Sequence, residues 1–283
     1  MKNRNLLISK AYRIVVSTLV NLVAHQTNNH INNTILIIGS TRSGTTFLME
    51  SINQNNDYRL IFEPFNNTYT KEWREYDTRE YIDPLQTNEH EKSVINKILT
   101  GQISSPWVNR YNRKLRSDRR LIKAVRANLL VEFIRAEYPN LPIIYLVRNP
   151  YEVVASRINM NFDANDVELV RNQSAFIEKH YPDIQYNLLS KKIETKEAKH
   201  AALWCLENRF LQRLQFQLNL QLVRYEDIIG MSVTIEKEEI RLTKKASKPS
   251  ASTSLRSAYQ LSQSERENIT EVLAFFGMEK YIN

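Results

Sequence analysis

The chain has 283 residues, enough for one large or two ordinary domains, and its 42% hydrophobic and 25% charged residues exclude extended disorder. The single cysteine, Cys205, excludes a disulfide framework and a multi-cysteine metal site, and favours a reducing, cytoplasmic compartment. A formal net charge of +8 favours anionic partners: nucleotides, nucleic acid, anionic glycans or a membrane surface.

The first 33 residues are predicted to lie outside a single domain at 34–283. They read as an amphipathic helix over 6–24 followed by an asparagine-rich linker. The apolar stretch at 14–23 is too short to span a bilayer. Docking of this helix onto the domain is the favoured interpretation, and peripheral contact with a membrane surface is the alternative.

Short apolar runs predict buried strands, and helical patterns separate most of them. The strands are predicted at 34–39, 59–62, 120–125, 143–147 and 220–223. This alternation predicts an α/β fold, a three-layer sandwich with a central parallel sheet of about five strands flanked by helices. The phosphate loop described below makes it a P-loop-containing fold.

Two segments lack a clear period. Residues 66–118 are predicted to form an insertion over the sheet edge, and residues 231–254 a mobile loop. Long helices are predicted at 196–218 and 264–276, where apolar residues recur at helical spacing.

The strongest motif is Gly39-Ser40-Thr41-Arg42-Ser43-Gly44-Thr45-Thr46, which lies between a buried strand and a helix start. Only five glycines occur in the chain, where about 20 would be expected at average usage. Glycines at both ends let the loop turn successive N–H groups inward, and the helix N-terminus adds positive potential, so the loop predicts a phosphate site.

The loop differs from that of ATPases, because Thr45 stands where their lysine would follow Gly44. Arg42 supplies a cationic fork that suits an oxyanion instead. A P-loop kinase-like phosphotransferase is therefore the alternative function. A tight turn without a ligand is the structural alternative.

A second anion site is predicted where the fourth strand ends. Arg148 leaves the strand at its carboxyl end, and Ser156 lies two turns along the helix that Pro150 opens. Ligands of open α/β sheets collect beyond the carboxyl ends of the strands, so this segment should adjoin the first loop if strands one and four are neighbours. Two anion sites in one crevice suit a bisphosphorylated nucleotide.

These motifs resemble those of sulfotransferases that use 3′-phosphoadenosine 5′-phosphosulfate, PAPS. Residues 41–48 are similar to the 5′-phosphosulfate loop, and residues 146–157 to the 3′-phosphate motif. The run at 42–48, followed by Asn53-Gln54-Asn55 and Phe62-Glu63-Pro64-Phe65, is similar to the branch that sulfates the 6-hydroxyl of GlcNAc and galactose.

The resemblance implies a PAPS-dependent transfer to a hydroxyl, of a carbohydrate or glycolipid, that needs no metal. It implies that the 5′-phosphosulfate is held by the loop and the 3′-phosphate by the second motif. The residues so assigned are Arg42, Ser43, Gly44, Thr45 and Thr46 for the first, and Arg148 and Ser156 for the second.

The five histidines lie outside the motifs, so the base is predicted to be Glu63, which follows the second strand. A structural salt bridge to Lys123 or Arg126 is the alternative role for Glu63. Lys123 and Arg126 resemble a K-x-V-R motif and are expected to orient sulfate or acceptor.

Three further expectations complete the sequence-based prediction. Val223-Arg224-Tyr225-Glu226-Asp227-Ile228 resembles a late-strand motif of the family and is interpreted as structural. Arg256 is a candidate for a nucleotide-clamping segment near the C-terminus. A nucleic-acid-binding module is disfavoured, because basic patches interleaved with aromatic residues are missing from the sequence.

Overall fold

Five parallel strands form the central sheet of the computed structural model, which describes residues 29–114, 117–184, 189, 191–228, 231–235, 238–242 and 259–282. They are β1 (Thr34–Gly39), β2 (Arg59–Phe62), β3 (Arg120–Lys123), β4 (Ile143–Val147) and β5 (Gln221–Arg224). Their order across the sheet is β2-β3-β1-β4-β5. Strands β1 and β4 are therefore neighbours, with Ile38 opposite Tyr145.

Helices alternate with these strands along the chain. In the described residues they are α1 (Thr45–Ile52), α2 (Glu89–Leu99), α3 (Val131–Glu137), α4 (Pro150–Asn159), α5 (Asp166–Arg171), α6 (Ser174–His180), α7 (Lys196–Leu214) and α8 (Gln263–Phe275). Short 3-10 helices span Ile31–Asn33, Lys71–Trp73, Asn128–Leu130, Tyr225–Asp227 and Glu279–Tyr281. Within the described part of the chain, no helix is long and apolar enough to cross a membrane.

The sheet separates two hydrophobic cores, since alternate strand residues point to opposite faces. One face of β1 presents Leu36 and Ile38 to a large core that includes helices α2 to α8. The other presents Ile35 and Ile37 to a smaller core with α1. Burial on both faces explains why the strands read as continuous apolar runs. The predicted three-layer α/β fold is confirmed.

The segment between β2 and β3 contains a helix that the sequence analysis did not predict. Helix α2 begins with a capping box, in which the Asn88 side chain accepts from the Glu91 N–H and the Glu91 side chain accepts from the Asn88 N–H. Its buried face joins the large core through Val94, Ile95, Ile98 and Leu99. Residues 66–118 thus supply part of the core as well as a surface.

Part of the predicted loop at 231–254 is instead a β-hairpin. Antiparallel strands β6 (Ser232–Ile235) and β7 (Glu238–Arg241) pair there, and Val233 and Leu242 pack into the smaller core. Because the tract is rich in charged residues, the apolar residues that pack into the core do not give a clear strand pattern in the sequence. Residues 243–254 lie outside the described residues.

Candidate active site

The turn between β1 and α1 approaches two other segments too closely for a side chain at either of its glycines. A Cβ atom at Gly39 would overlap the carbonyl oxygen of Leu146 in β4, and one at Gly44 would overlap the ring of Tyr225. Arg42 and Gly44 have φ angles of 76° and 95°. This left-handed backbone turns the loop back on itself, and the Ser43 N–H donates to the Ser40 carbonyl oxygen at 3.1 Å.

The start of α1 provides hydrogen-bond donors for an anion. Gly44 is the N-cap and has no side chain to accept from the first N–H groups of the helix, which begins with Thr45 and Thr46. The Ser43 hydroxyl is buried and has no hydrogen-bond partner among the described residues. Together with the positive end of the helix dipole, these donors are of the kind that suits a phosphate or sulfate.

Arg148 and Ser156 lie directly beside this loop, as the sequence analysis predicted from the adjacency of β1 and β4. The Arg42 Nε donates to the Ser156 hydroxyl at 2.9 Å, and the Arg148 Nη1 donates to the Arg42 carbonyl oxygen at 3.3 Å. Burial lowers the pKa of Arg42, and the nearby charge of Arg148 lowers it further. Two guanidinium groups thus share one crevice, a strong attraction for anions.

Tyr225 forms one wall of this crevice. Its ring lies against Gly44, and the Arg148 guanidinium stacks over it, 4.4 Å from the ring centroid. The motif at the end of β5 was interpreted as structural, yet its tyrosine holds the orientation of a predicted nucleotide-binding arginine. Glu226, from the same motif, accepts a hydrogen bond from the Asn149 N–H at 2.8 Å and braces the turn before α4.

Glu63 is enclosed by cations at the end of β2. Its side chain is only 2% exposed and forms ion pairs with Lys123 Nζ and, at 3.1 Å, with Arg126 Nη1. The Val125 N–H also donates to this carboxylate, at 3.3 Å. Burial alone would raise the pKa of Glu63, but Lys123, Arg126 and these hydrogen bonds outweigh it and lower the pKa. Both salt bridges that the sequence analysis named as the alternative are therefore formed.

Glu63 with its ion-pair partners and the crevice of Arg42 and Arg148 lie at the same end of the sheet. Because the strands are parallel, their carboxyl ends lie together at one end of the sheet. Four residues follow one another there in the order of the strands: Glu63 after β2, Lys123 at the end of β3, Arg42 after β1 and Arg148 after β4. Burial is the main cause that lowers the pKa of Lys123, and the charges of Arg126 and Arg42 add to it. Glu63, Lys123 and the two arginines therefore lie at the same end of the sheet.

Comparison with known proteins gives the family. A profile of the sulfotransferase family matches residues 34–231, well over half of the chain and all five strands of the sheet. The chain belongs to the sulfotransferase family. A search of curated proteins finds no significant match.

Two solved sulfotransferase structures are similar to the chain. The sulfotransferase domain of the olefin synthase from Synechococcus PCC 7002 has 14% sequence identity and a TM-score of 0.36, over 87% of this chain and 74% of that one. A sulfotransferase from Alicyclobacillus acidocaldarius has 14% identity and a TM-score of 0.36, over 88% of this chain and 95% of that one.

A buried ionic network, which the sequence analysis did not predict, supports the anion loop of this sulfotransferase from below. Glu207 on α7 is fully buried and accepts from the Ser40 hydroxyl at 2.5 Å and from Arg79 Nε at 3.0 Å. Arg157 Nη2 lies 3.8 Å from the same carboxylate. Arg79 also donates to the Thr41 hydroxyl at 3.3 Å, and Arg157 donates to the Thr41 carbonyl at 3.2 Å. The network therefore fixes the two residues that precede Arg42.

Buried amides hold the same turn from the sides. The Asn128 side chain accepts from the Gly39 N–H at 3.0 Å, and the Asn208 amide donates to the Ser40 hydroxyl at 2.9 Å. Each is fully buried. Sequence alone gives little signal for such groups, since a polar residue on a helix is most often solvated.

Arg256 and the helix predicted at 6–24 lie outside the described residues. Among the residues that are described, no cluster of three or more His, Cys, Asp or Glu side chains could hold a metal ion.

Proposed function

We propose that this sulfotransferase transfers the sulfuryl group of PAPS to a hydroxyl of a carbohydrate or glycolipid acceptor, and that residues 34–283 act as one catalytic domain. The observation that carries the proposal is the contact of Arg42 with both Ser156 and Arg148, at 2.9 and 3.3 Å. It supports a single crevice that holds a nucleotide with an anion at each end.

The donor would be held by two sets of groups. Ser43, Gly44, Thr45 and Thr46 would donate to the 5′-phosphosulfate, with Arg42 beside them, while Arg148 and Ser156 would bind the 3′-phosphate. The unpartnered, buried Ser43 hydroxyl fits this role, because a buried hydroxyl without a partner is costly unless a ligand satisfies it.

The reaction forms one bond from the acceptor oxygen to sulfur and breaks the bond between sulfur and the bridging phosphate oxygen. The bond electrons leave with that oxygen, so the product nucleotide, adenosine 3′,5′-bisphosphate, gains negative charge on its 5′-phosphate. Arg42 and the loop N–H groups would stabilise this charge. By analogy with phosphoryl transfer, most of the catalysis would come from positioning and electrostatics.

Glu63 would accept the proton of the acceptor hydroxyl, and Lys123 would orient the sulfuryl group between Glu63 and Arg42. The lowered pKa of Glu63 keeps it ionised at neutral pH, although it makes the carboxylate a weak base. A weak base suffices when the proton is transferred after most of the oxygen–sulfur bond has formed, because bonding to sulfur makes the hydroxyl strongly acidic. Arg126 would then hold the carboxylate in place and contact the acceptor.

The proposal is tested with radiolabelled PAPS and a panel of hydroxylated glycans and glycolipids. Wild type should transfer label, and Glu63→Gln should lose most transfer, ~10²-fold or more, while it still binds adenosine 3′,5′-bisphosphate. Glu63→Asp, which retains the charge, should keep more activity than Glu63→Gln. Equal turnover in wild type and Glu63→Gln would exclude Glu63 as the base.

The alternative phosphotransferase is tested in the same preparation. Adenosine 3′,5′-bisphosphate should raise the melting temperature of the protein, and ATP with Mg²⁺ should not. Stabilisation by ATP with Mg²⁺ alone would contradict the proposed donor.

A further inference from the structure

A cluster of aromatic side chains borders Glu63 on the side away from the nucleotide crevice. We call Tyr69, Trp107 and Tyr111, together with the adjacent Arg110, the aromatic platform. The Trp107 indole N–H donates to the Glu63 carbonyl oxygen at 3.3 Å, which joins the platform directly to the proposed base. Tyr69 stacks on Trp107 with ring centroids 4.1 Å apart and an interplanar angle of 18°.

The outer surface of the platform is open to solvent. Tyr69 is 51% exposed, one of only four large hydrophobic residues that are exposed in the described part of the chain. A flat, rigid and partly wetted aromatic face binds the face of another ring at small cost in conformational entropy.

Arg110 adds a cation to this face. Its guanidinium lies 4.6 Å from the Trp107 ring centroid, 5.3 Å from that of Phe62 and 5.6 Å from that of Tyr111. None of the described acidic side chains forms an ion pair with Arg110, which is exposed. The Phe62 ring also lies 4.7 Å from Lys123 Nζ, so one ring connects Arg110 with the transfer site.

The position of the platform in the sheet decides which substrate it faces. The platform adjoins the end of β2, at one edge of the sheet, while Arg148 and Tyr225 follow β4 and β5 at the other. Neighbouring strands are about 4.8 Å apart, so Glu63 and Lys123 lie between the two. An in-line displacement requires the attacking hydroxyl opposite the leaving phosphate. With the nucleotide over β1 and β4, as proposed above, an acceptor placed in line reaches the donor from the side of the platform.

We propose that the aromatic platform binds the acceptor, and that the acceptor is a hydroxylated ring compound that carries an anionic group. This inference rests on the proposed function. The ring stacks on Tyr69, and the anion pairs with Arg110, whose charge no described carboxylate neutralises. With the carbohydrate acceptor of the proposed function, this compound is a sugar acid. A hydroxylated aromatic acid shares the same chemistry, and a preference for it would overturn the carbohydrate acceptor but not the assignment of the platform.

The test measures binding to the complex of the enzyme with adenosine 3′,5′-bisphosphate, by saturation-transfer NMR titration. The probes are two matched pairs: methyl glucoside with methyl glucuronide, and phenol with 4-hydroxybenzoate. At least one anionic probe should bind about 3- to 10-fold more tightly than its neutral partner. The pair that shows the preference identifies the ring as sugar or aromatic.

Variants assign the preference to residues. Arg110→Gln should abolish the preference for the anion, whereas Arg113→Gln, an exposed arginine nearby, should retain it. Tyr69→Ala should weaken the binding of both probes of the pair by a similar factor. Phe216→Ala, which removes an 89% exposed ring elsewhere, should leave the affinity of both probes unchanged.

The outcomes separate the two proposals. If adenosine 3′,5′-bisphosphate does not bind wild type, the proposed function fails. If it binds, but neither anionic probe is preferred, or Arg110→Gln keeps the preference, the assignment of the platform is wrong while the proposed donor site stands.

Discussion

Glu207 provides the most demanding test of how the anion loop is held. The carboxylate is fully buried, and it is the ion-pair partner of Arg157 within the described residues, at 3.8 Å. Glu207→Gln retains the volume but removes the charge, so the Arg157 guanidinium, which is 1% exposed, loses its counterion. Arg79 keeps a second partner, Asp166, at 3.0 Å.

The expected cost follows from this geometry. Two unit charges 3.8 Å apart attract by about 4 kcal/mol at an effective dielectric constant of ~20. Breaking a buried ion pair by removal of one partner typically costs about 3–5 kcal/mol, which agrees. At ~2–4 °C per kcal/mol for a chain of this size, Glu207→Gln should lower the melting temperature by roughly 6–20 °C.

The assay is thermal and urea unfolding of three variants. The control Glu178→Gln makes the same substitution at an exposed site and should stay within ~0.5 kcal/mol of wild type. The double variant of Glu207→Gln with Arg157→Met removes both charges and should be more stable than Glu207→Gln alone. A loss of less than about 1 kcal/mol in Glu207→Gln would refute the reasoning.

Two further predictions concern the loop and the acid stability of the fold. Gly44→Ala forces a left-handed alanine, at a cost of about 1–2 kcal/mol, against the Tyr225 ring, so calorimetry should show adenosine 3′,5′-bisphosphate binding weakened at least ~10-fold. Gly277→Ala, which has positive φ but open space around it, should lose stability without loss of nucleotide affinity, and equal affinity in both variants would contradict the prediction. Burial, and then the charge of Arg157, lowers the pKa of His200 to about 3, so the unfolded chain binds more protons below pH ~6.5 and stability should fall as the pH decreases towards 3. Urea titrations at pH 7 and 5 measure the decrease in the free energy of unfolding between these pH values. His200→Leu should make this decrease smaller, by up to ~1.4 kcal/mol per pH unit, and an unchanged pH dependence would exclude His200 as its source.

The sheet and the phosphate loop could be predicted from sequence because their signals are local. Strands buried on both faces appear as apolar runs, and in a chain poor in glycine the pair Gly39 and Gly44 marks the turn that needs them. The adjacency of β1 and β4 was the one assumption that brought Arg42 and Arg148 together, and the sheet order confirms it.

The ionic network could not be predicted, because its members are far apart in the chain and resemble ordinary surface residues. Arg79 and Glu207 are separated by 128 positions, and only the fold brings them below the loop. Helix α2 did carry a local signal, the spacing of Asn88 and Glu91 in a capping box. The paired strands at 232–235 and 238–241 had a weaker one, since charged residues stand between the apolar residues of this segment.

The central claim is that one crevice binds both ends of the nucleotide, and isothermal calorimetry with two ligands tests it most directly. Adenosine 3′,5′-bisphosphate and adenosine 5′-monophosphate differ only in the 3′-phosphate, which we assign to Arg148. Wild type should bind the bisphosphate ~10-fold or more tightly than the monophosphate, and Arg148→Ala should lose that preference. Arg42→Ala should weaken the binding of both ligands by a similar factor. A preference that survives in Arg148→Ala, or wild type that binds neither ligand, would contradict the account.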